Sequence, residues 1–308
     1  MPARLLPDLY GCRVRSLPRL FWAAARRSWQ DRVLGLAAEA GFWQLLSLPS
    51  ALLGILGVIG FFNGLLGRGN LDHLQRSIDN AMARVIVPSA VHSTIEPALH
   101  RILFGGRADI VSISFVVSLW TGSSAMATYV NTITIAYGLR NRRSAVRSRL
   151  LALRLYVGFV LATIVLLPLL ALGPSEIVDI FPDRWHHVVH LITEIGYWPV
   201  AVLVSLSLLA TLYHRAVPLR MPWRRALPGA VTAVVMWVVG SIVLRAWLEF
   251  AFRRTATYGP LSAPVAVLGF LYLTALAILF GAELNAEIDR TWPRPETEAL
   301  RDPETLPA

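Results

Sequence analysis

His186, His190 and Glu194 recur at intervals of four residues, with Asp183 and His187 beside them. On a helix this spacing stacks two imidazoles and a carboxylate on one face, one turn apart, a donor set that can hold zinc or copper. Trp185, Val188, Val189, Leu191 and Ile192 in the same run suit an amphipathic helix at a membrane interface equally well. Neither an HExxH run nor a CxxC pair accompanies them, so no metal is assigned and no cofactor is called for.

A second set is polar without being charged. Ser114, Ser118, Thr121, Ser124, Thr128 and Asn131 follow one another at spacings of three and four, which draws one polar stripe along a helix. The surrounding residues are apolar, and a polar group in a bilayer needs a partner or water. Two readings stay open. The stripe is a seam of close helix packing, its hydroxyls bonded to the turn above, or it is one wall of a polar cavity.

Charged and amide groups supply the third set. Glu39 and Gln44 lie early in an apolar run that also carries Ser47 and Pro49. Glu39 is either paired with a nearby arginine at the membrane face or is a carboxylate that titrates or binds a cation. Ser241, Arg245 and Glu249 share a helix face, which suggests an ion pair between the last two. Glu283 and Glu287 also share a face, with Arg290 one turn beyond. They form a paired, solvated helix end or a carboxylate gate at the inner mouth.

These sets must be positioned by membrane helices. The chain has 308 residues, of which 55% are hydrophobic and 16% charged, and its mean hydropathy is +0.55. Soluble domains carry roughly 25% charged residues, so much of this surface needs lipid to face. A bilayer core takes about 20 apolar residues per helix. Six runs qualify: Phe42–Leu65, Ile110–Ile133, Leu155–Leu172, Trp198–Tyr213, Leu227–Val243 and Leu261–Phe280. The fold class is therefore all-α, a polytopic membrane bundle of six transmembrane helices with amphipathic interfacial helices. The membrane domain is expected over 20–292, after a cytoplasmic leader at 1–19 and before a disordered, proline-rich cytoplasmic tail at 293–308. Residues 71–103 carry apolar positions at helical spacing and read as an outer amphipathic segment. Leu20–Val33 mixes Phe21, Trp22 and Trp29 with Arg26, Arg27 and Arg32, the composition of an interfacial helix on the inner face.

Arginine placement orients the bundle. The net charge is +10 and the chain contains no lysine. Arg140, Arg142, Arg143, Arg147 and Arg149 crowd one loop, and Arg215, Arg220, Arg224 and Arg225 another, with no acid in either. Basic short loops stay in the cytoplasm, so both termini are expected inside. Basic residues beside apolar spans point to the bilayer and its anionic headgroups as partners, and not to nucleic acid. The single cysteine, Cys12, allows no internal disulfide.

Several runs resemble one family in combination. Leu119-Trp120-Thr121-Gly122-Ser123-Ser124-Ala125-Met126, with Asn131 and Ala136-Tyr137-Gly138, is similar to the second-span signature of the YihY/BrkB family. Arg220-Met221-Pro222-Trp223, Ala226-Leu227-Pro228-Gly229-Ala230 and Trp237 resemble its fifth-span entry. Gly281-Ala282-Glu283-Leu284-Asn285-Ala286-Glu287 resembles its sixth-span ending. The resemblance implies a bacterial inner-membrane protein of six helices whose biochemical role is not established. An old family label names a ribonuclease. The metallo-β-lactamase kind of ribonuclease needs an HxHxDH ligand set, which this chain lacks. The expected function is non-enzymatic: transport or binding of a small solute or lipid through a polar intramembrane cavity. The alternative is a structural, envelope-interacting membrane protein.

Overall fold

The computed structural model describes residues 8–61, 108–139, 143–178, 186–218, 222–252 and 259–293. Among them all regular structure is helical: α1 (Asp8–Gln30), α2 (Val33–Phe61), α3 (Ala108–Ala136), α4 (Ala145–Val178), α5 (His186–Ala216), a 3-10 turn (Trp223–Ala226), α6 (Leu227–Phe252) and α7 (Gly259–Thr291). Each apolar run predicted above falls within its own helix, the first as far as Phe61. The helices are longer than the runs: α5 begins at His186 and takes in the histidine cluster, and α6 continues to Phe252. Backbone hydrogen bonding continues through polar residues at a helix end, whereas hydropathy stops where lipid stops. Helix α1 starts at Asp8, inside the expected leader, and continues through Pro18. The outer segment 71–103 lies outside the described residues.

Contacts divide the chain into two units, Met1–Phe42 with Ser124–Ala308, and Trp43–Ser123. In the first, the buried side is built from small residues: Ala210, Ala230, Ala233, Ala275, Ala282 and Ala286 are all nearly inaccessible. Large apolar side chains face outward, among them Val235, Val239, Ile242, Val243 and Phe250 on α6. That is the inverse of a water-soluble core. Lipid solvates large aliphatic groups as well as a protein interior does, so membrane helices associate through small residues that let backbones approach. Among the described residues, Pro199–Ala216, Trp223–Ala251 and Pro264–Thr291 are long and apolar enough to cross a membrane.

Helices α6 and α7 show what this packing requires. A Cβ added to Gly229 would strike the Gly281 carbonyl oxygen and the Asn285 side chain. One added to Gly281 would strike the Gly229 carbonyl, with the Tyr213 hydroxyl 2.6 Å away. Asn285 bridges the same crossing. Its Oδ1 accepts the Gly229 N–H at 2.7 Å, and its Nδ2 donates to the Ala226 carbonyl at 3.1 Å. Gly229 stands in the first turn of α6, where N–H groups have no partner within the helix, so the amide side chain fills that vacancy. Farther along, Trp237 Nε1 donates to Thr274 Oγ1 at 3.1 Å and its ring lies edge-on to Phe270.

The arginine loops are tied to helix ends. Arg143 donates to the carbonyls of Arg215 (3.3 Å), Ala216 (2.9 Å) and Val217 (3.2 Å). It thereby caps the end of α5, where carbonyls are left over and the helix dipole is negative. Partial burial lowers the Arg143 guanidinium pKa from its ordinary value. Between α1 and α2, Arg32 adopts a left-handed φ of 57°, which breaks the helix for two residues before α2 begins at Val33. Trp22 and Trp29 stand 75% exposed on α1, a face that suits a headgroup layer better than water.

Candidate functional site

The polar stripe of α3 does not have one environment. Ser118, Ser124 and Thr128 are buried, Thr121 is half-buried, and Asn131 is exposed. Ser114 lies in α3, and its side chain is outside the described residues. Several hydroxyls bond back along the helix: Thr121 to the Val117 carbonyl at 2.8 Å, Ser123 to Trp120 at 3.0 Å, and Thr132 to Thr128 at 2.8 Å. These bonds are how a hydroxyl is tolerated in an apolar span.

Two members of the stripe do more. Thr128 Oγ1 lies 3.1 Å from Glu39 Oε1 on α2 and 3.2 Å from the Ser124 carbonyl. A hydroxyl carries one proton, so it serves one of these acceptors at a time. Ser124 Oγ accepts from Arg149 Nη2 on α4 at 3.0 Å. Ser124 and Thr128 are four residues apart, hence about 6 Å along the axis. A carboxylate and a guanidinium thus meet neighbouring hydroxyls of one helix face. Glu39 remains exposed although it stands on an apolar helix. Its sequence position suggested a pairing with arginine, and the described contact is with a hydroxyl. Arg149 was legible only as part of a basic loop. Its reach to Ser124 depends on α4 starting at Ala145, far ahead of the apolar run.

The other candidate residues have contacts of their own. Gln44 is half-buried, and its backbone carbonyl accepts from Ser47 Oγ at 2.9 Å. Arg245 Nε pairs with Glu249 Oε1 at 3.1 Å, and both side chains are exposed. Glu287 Oε2 accepts from Arg27 at 3.2 Å and from Arg290 at 3.1 Å. Arg290 also donates to the Ala136 carbonyl at the end of α3. Asp289, not singled out from the sequence, pairs with Arg225 at 3.3 Å. Glu283 departs from the solvated helix end that its spacing suggested: it is fully buried. Its face turns toward α1, which packs on α7 through Phe21 against Phe280. A single helix pattern cannot show that covering. His186, His190 and Glu194 occupy the first turns of α5, and their side chains are outside the described residues. Among the described residues no three His, Cys, Asp or Glu side chains gather as a metal site.

Comparison with known proteins adds two findings. The family model described as "Virulence factor BrkB" matches residues 24–305. A "Putative ribonuclease-like protein YfkH" of Bacillus subtilis (strain 168) is 25% identical over 261 residues, 81% of this chain and 88% of that protein. No solved structure matches.

Proposed function

Because the chain belongs to the virulence factor BrkB family and is a multi-pass membrane protein of bacterial type, we propose that it binds or moves a small solute or lipid along the polar face of α3. The observation that carries this reading is the approach of Glu39 and Arg149 to adjacent-turn hydroxyls, Thr128 and Ser124. Opposite charges held on one wall fit a solute or headgroup that itself carries both signs. Side chains spent only on packing would not need two ionisable groups beside an apolar span. The ribonuclease-like name stays with the Bacillus relative, since this chain carries no HxHxDH run.

A second reading, a scaffold in the envelope, draws on the hydroxyls of Thr121, Ser123 and Thr132, which are satisfied within their own helix. Cysteine accessibility separates the two. In a Cys12→Ser background, Thr128→Cys and Ser124→Cys are treated in intact membranes with a charged, water-soluble thiol reagent. The pathway reading expects modification of Thr128→Cys, with protection at high concentrations of a bound solute. If neither cysteine reacts while an exposed control does, the stripe is a dry seam and the scaffold reading stands.

We further place the protein in the inner membrane with both termini cytoplasmic, on the strength of the arginine loops. Reporter fusions after Arg149 and after Arg294 are expected to report cytoplasm. A periplasmic signal from either refutes the six-span topology. Anionic headgroups are then the natural partners of the exposed Arg26 and Arg32 beside Trp22 and Trp29.

A further inference from the structure

Glu283 lies within the apolar stretch Pro264–Thr291 and is 0% exposed. Among the described residues neither Oε1 nor Oε2 has a hydrogen-bond partner. The charged groups that act on it are Asp31, in the turn after α1, Arg27 on α1, and Glu287 and Arg290 on its own helix. Both arginines are committed elsewhere. Arg27 Nε lies 3.2 Å and Arg290 Nη1 3.1 Å from the same Glu287 Oε2, and Arg290 Nη2 donates to the Ala136 carbonyl. Nearby on α7, Asp289 pairs with Arg225 at 3.3 Å, and Tyr213 donates to the Ile278 carbonyl at 2.7 Å. The described groups therefore offer Glu283 no donor.

A carboxylate removed from water and given no donor is the costliest state a side chain can take, and such a group pairs or becomes neutral. Asp31 and Glu287 add two negative neighbours, which oppose a further negative charge at this position. No metal cage is available among the described residues to neutralise it. We propose that Glu283 is a proton-binding site: the arrangement described here holds it as the neutral acid, and loss of that proton draws Arg27 or Arg290 away from Glu287. The exchange is a carboxyl giving one proton to water and becoming a carboxylate, with no other bond made or broken. Arg27 ties α1 to α7, and Arg290 ties α7 to the end of α3; a buried carboxylate also needs water, so the charge on Glu283 loosens that junction by drawing water between the helices. The proposal is independent of whether the α3 stripe is wet.

Infrared spectroscopy of the full-length protein in lipid vesicles tests the site. Near neutral pH the wild type is expected to show the carbonyl band of a protonated carboxyl, which gives way to carboxylate bands as the pH is raised. Glu283→Gln should lack that band near neutral pH, where the ordinary carboxyl groups are ionised. A wild-type spectrum without it overturns the proposal, as does a band that persists unchanged to alkaline pH. Loosening is read separately. Ser28, on α1, is buried, so Ser28→Cys in the Cys12→Ser background reports the junction through its rate with a water-soluble maleimide. Raising the pH should accelerate labelling several-fold beyond the acceleration of the same cysteine in denatured protein, which carries only the thiol's own ionisation. Equal acceleration overturns the coupling, and this arm needs no substitution at Glu283.

Discussion

Gly229→Ala is expected to destabilise the protein by about 3 kcal/mol or more, the upper end of what overpacking costs. The added methyl meets the Gly281 carbonyl, which is backbone, and the Asn285 side chain, which is itself bonded to the Gly229 N–H. Neither can retreat without separating α6 from α7 or breaking the bridge. Gly281→Ala should behave alike, because its methyl meets the Gly229 carbonyl and the Tyr213 hydroxyl. Gly158→Ala is the control: nothing lies within 4 Å of a Cβ there. Replacing a mid-helix glycine with alanine at such an open position is favourable by roughly 0.5–1 kcal/mol. Thermal unfolding in detergent measures all three. If Gly229→Ala unfolds with or above the wild type, the close crossing of α6 and α7 is wrong.

Asn285→Leu is expected to cost about 2 kcal/mol. Side-chain hydrogen bonds between membrane helices average only about 0.6 kcal/mol, because the separated helices find other partners. Asn285 is expected to exceed that average for a specific reason. It serves two backbone groups, the Gly229 N–H and the Ala226 carbonyl, at the start of α6. Leaving a buried backbone group unpaired costs about 1–3 kcal/mol. The two positions should also couple. Asn285→Ala vacates the space that a Gly229 methyl would claim, so the double variant should be less destabilised than the sum of the singles, as residues in contact allow. Additive losses would show that the methyl and the amide do not share that space.

How much of this was readable in one dimension differs by residue. The runs from Phe42 to Phe280 marked where apolar helices lie, since hydropathy is a property of each segment against lipid. The Arg245–Glu249 pair was equally legible, because both partners lie on one helix at a spacing fixed by its pitch. Glu283 was not. Its spacing with Glu287 is the same kind of signal, yet one is paired and the other fully buried. The difference comes from α1, whose sequence lies some two hundred and fifty residues away. Gly229, Gly281 and Asn285 all stood in the runs that resembled a family signature, and small or amide residues inside apolar spans were the available hint. Nothing in the sequence said that they meet one another.

The sequence by itself determined that this is an all-helical membrane protein, where its apolar spans run, and which residues on a single helix share a face. Those properties follow from local periodicity and from the free energy of transferring each segment to lipid, neither of which needs a partner helix. Only the tertiary structure decided which faces close on one another: that Glu39 and Arg149 converge on Thr128 and Ser124, that Arg143 caps α5, and that Glu283 is sealed beneath α1. In lipid the hydrophobic effect does not choose among helix neighbours. The choice falls to small-residue fit and to scattered hydrogen bonds between distant segments, and a linear pattern carries no record of them.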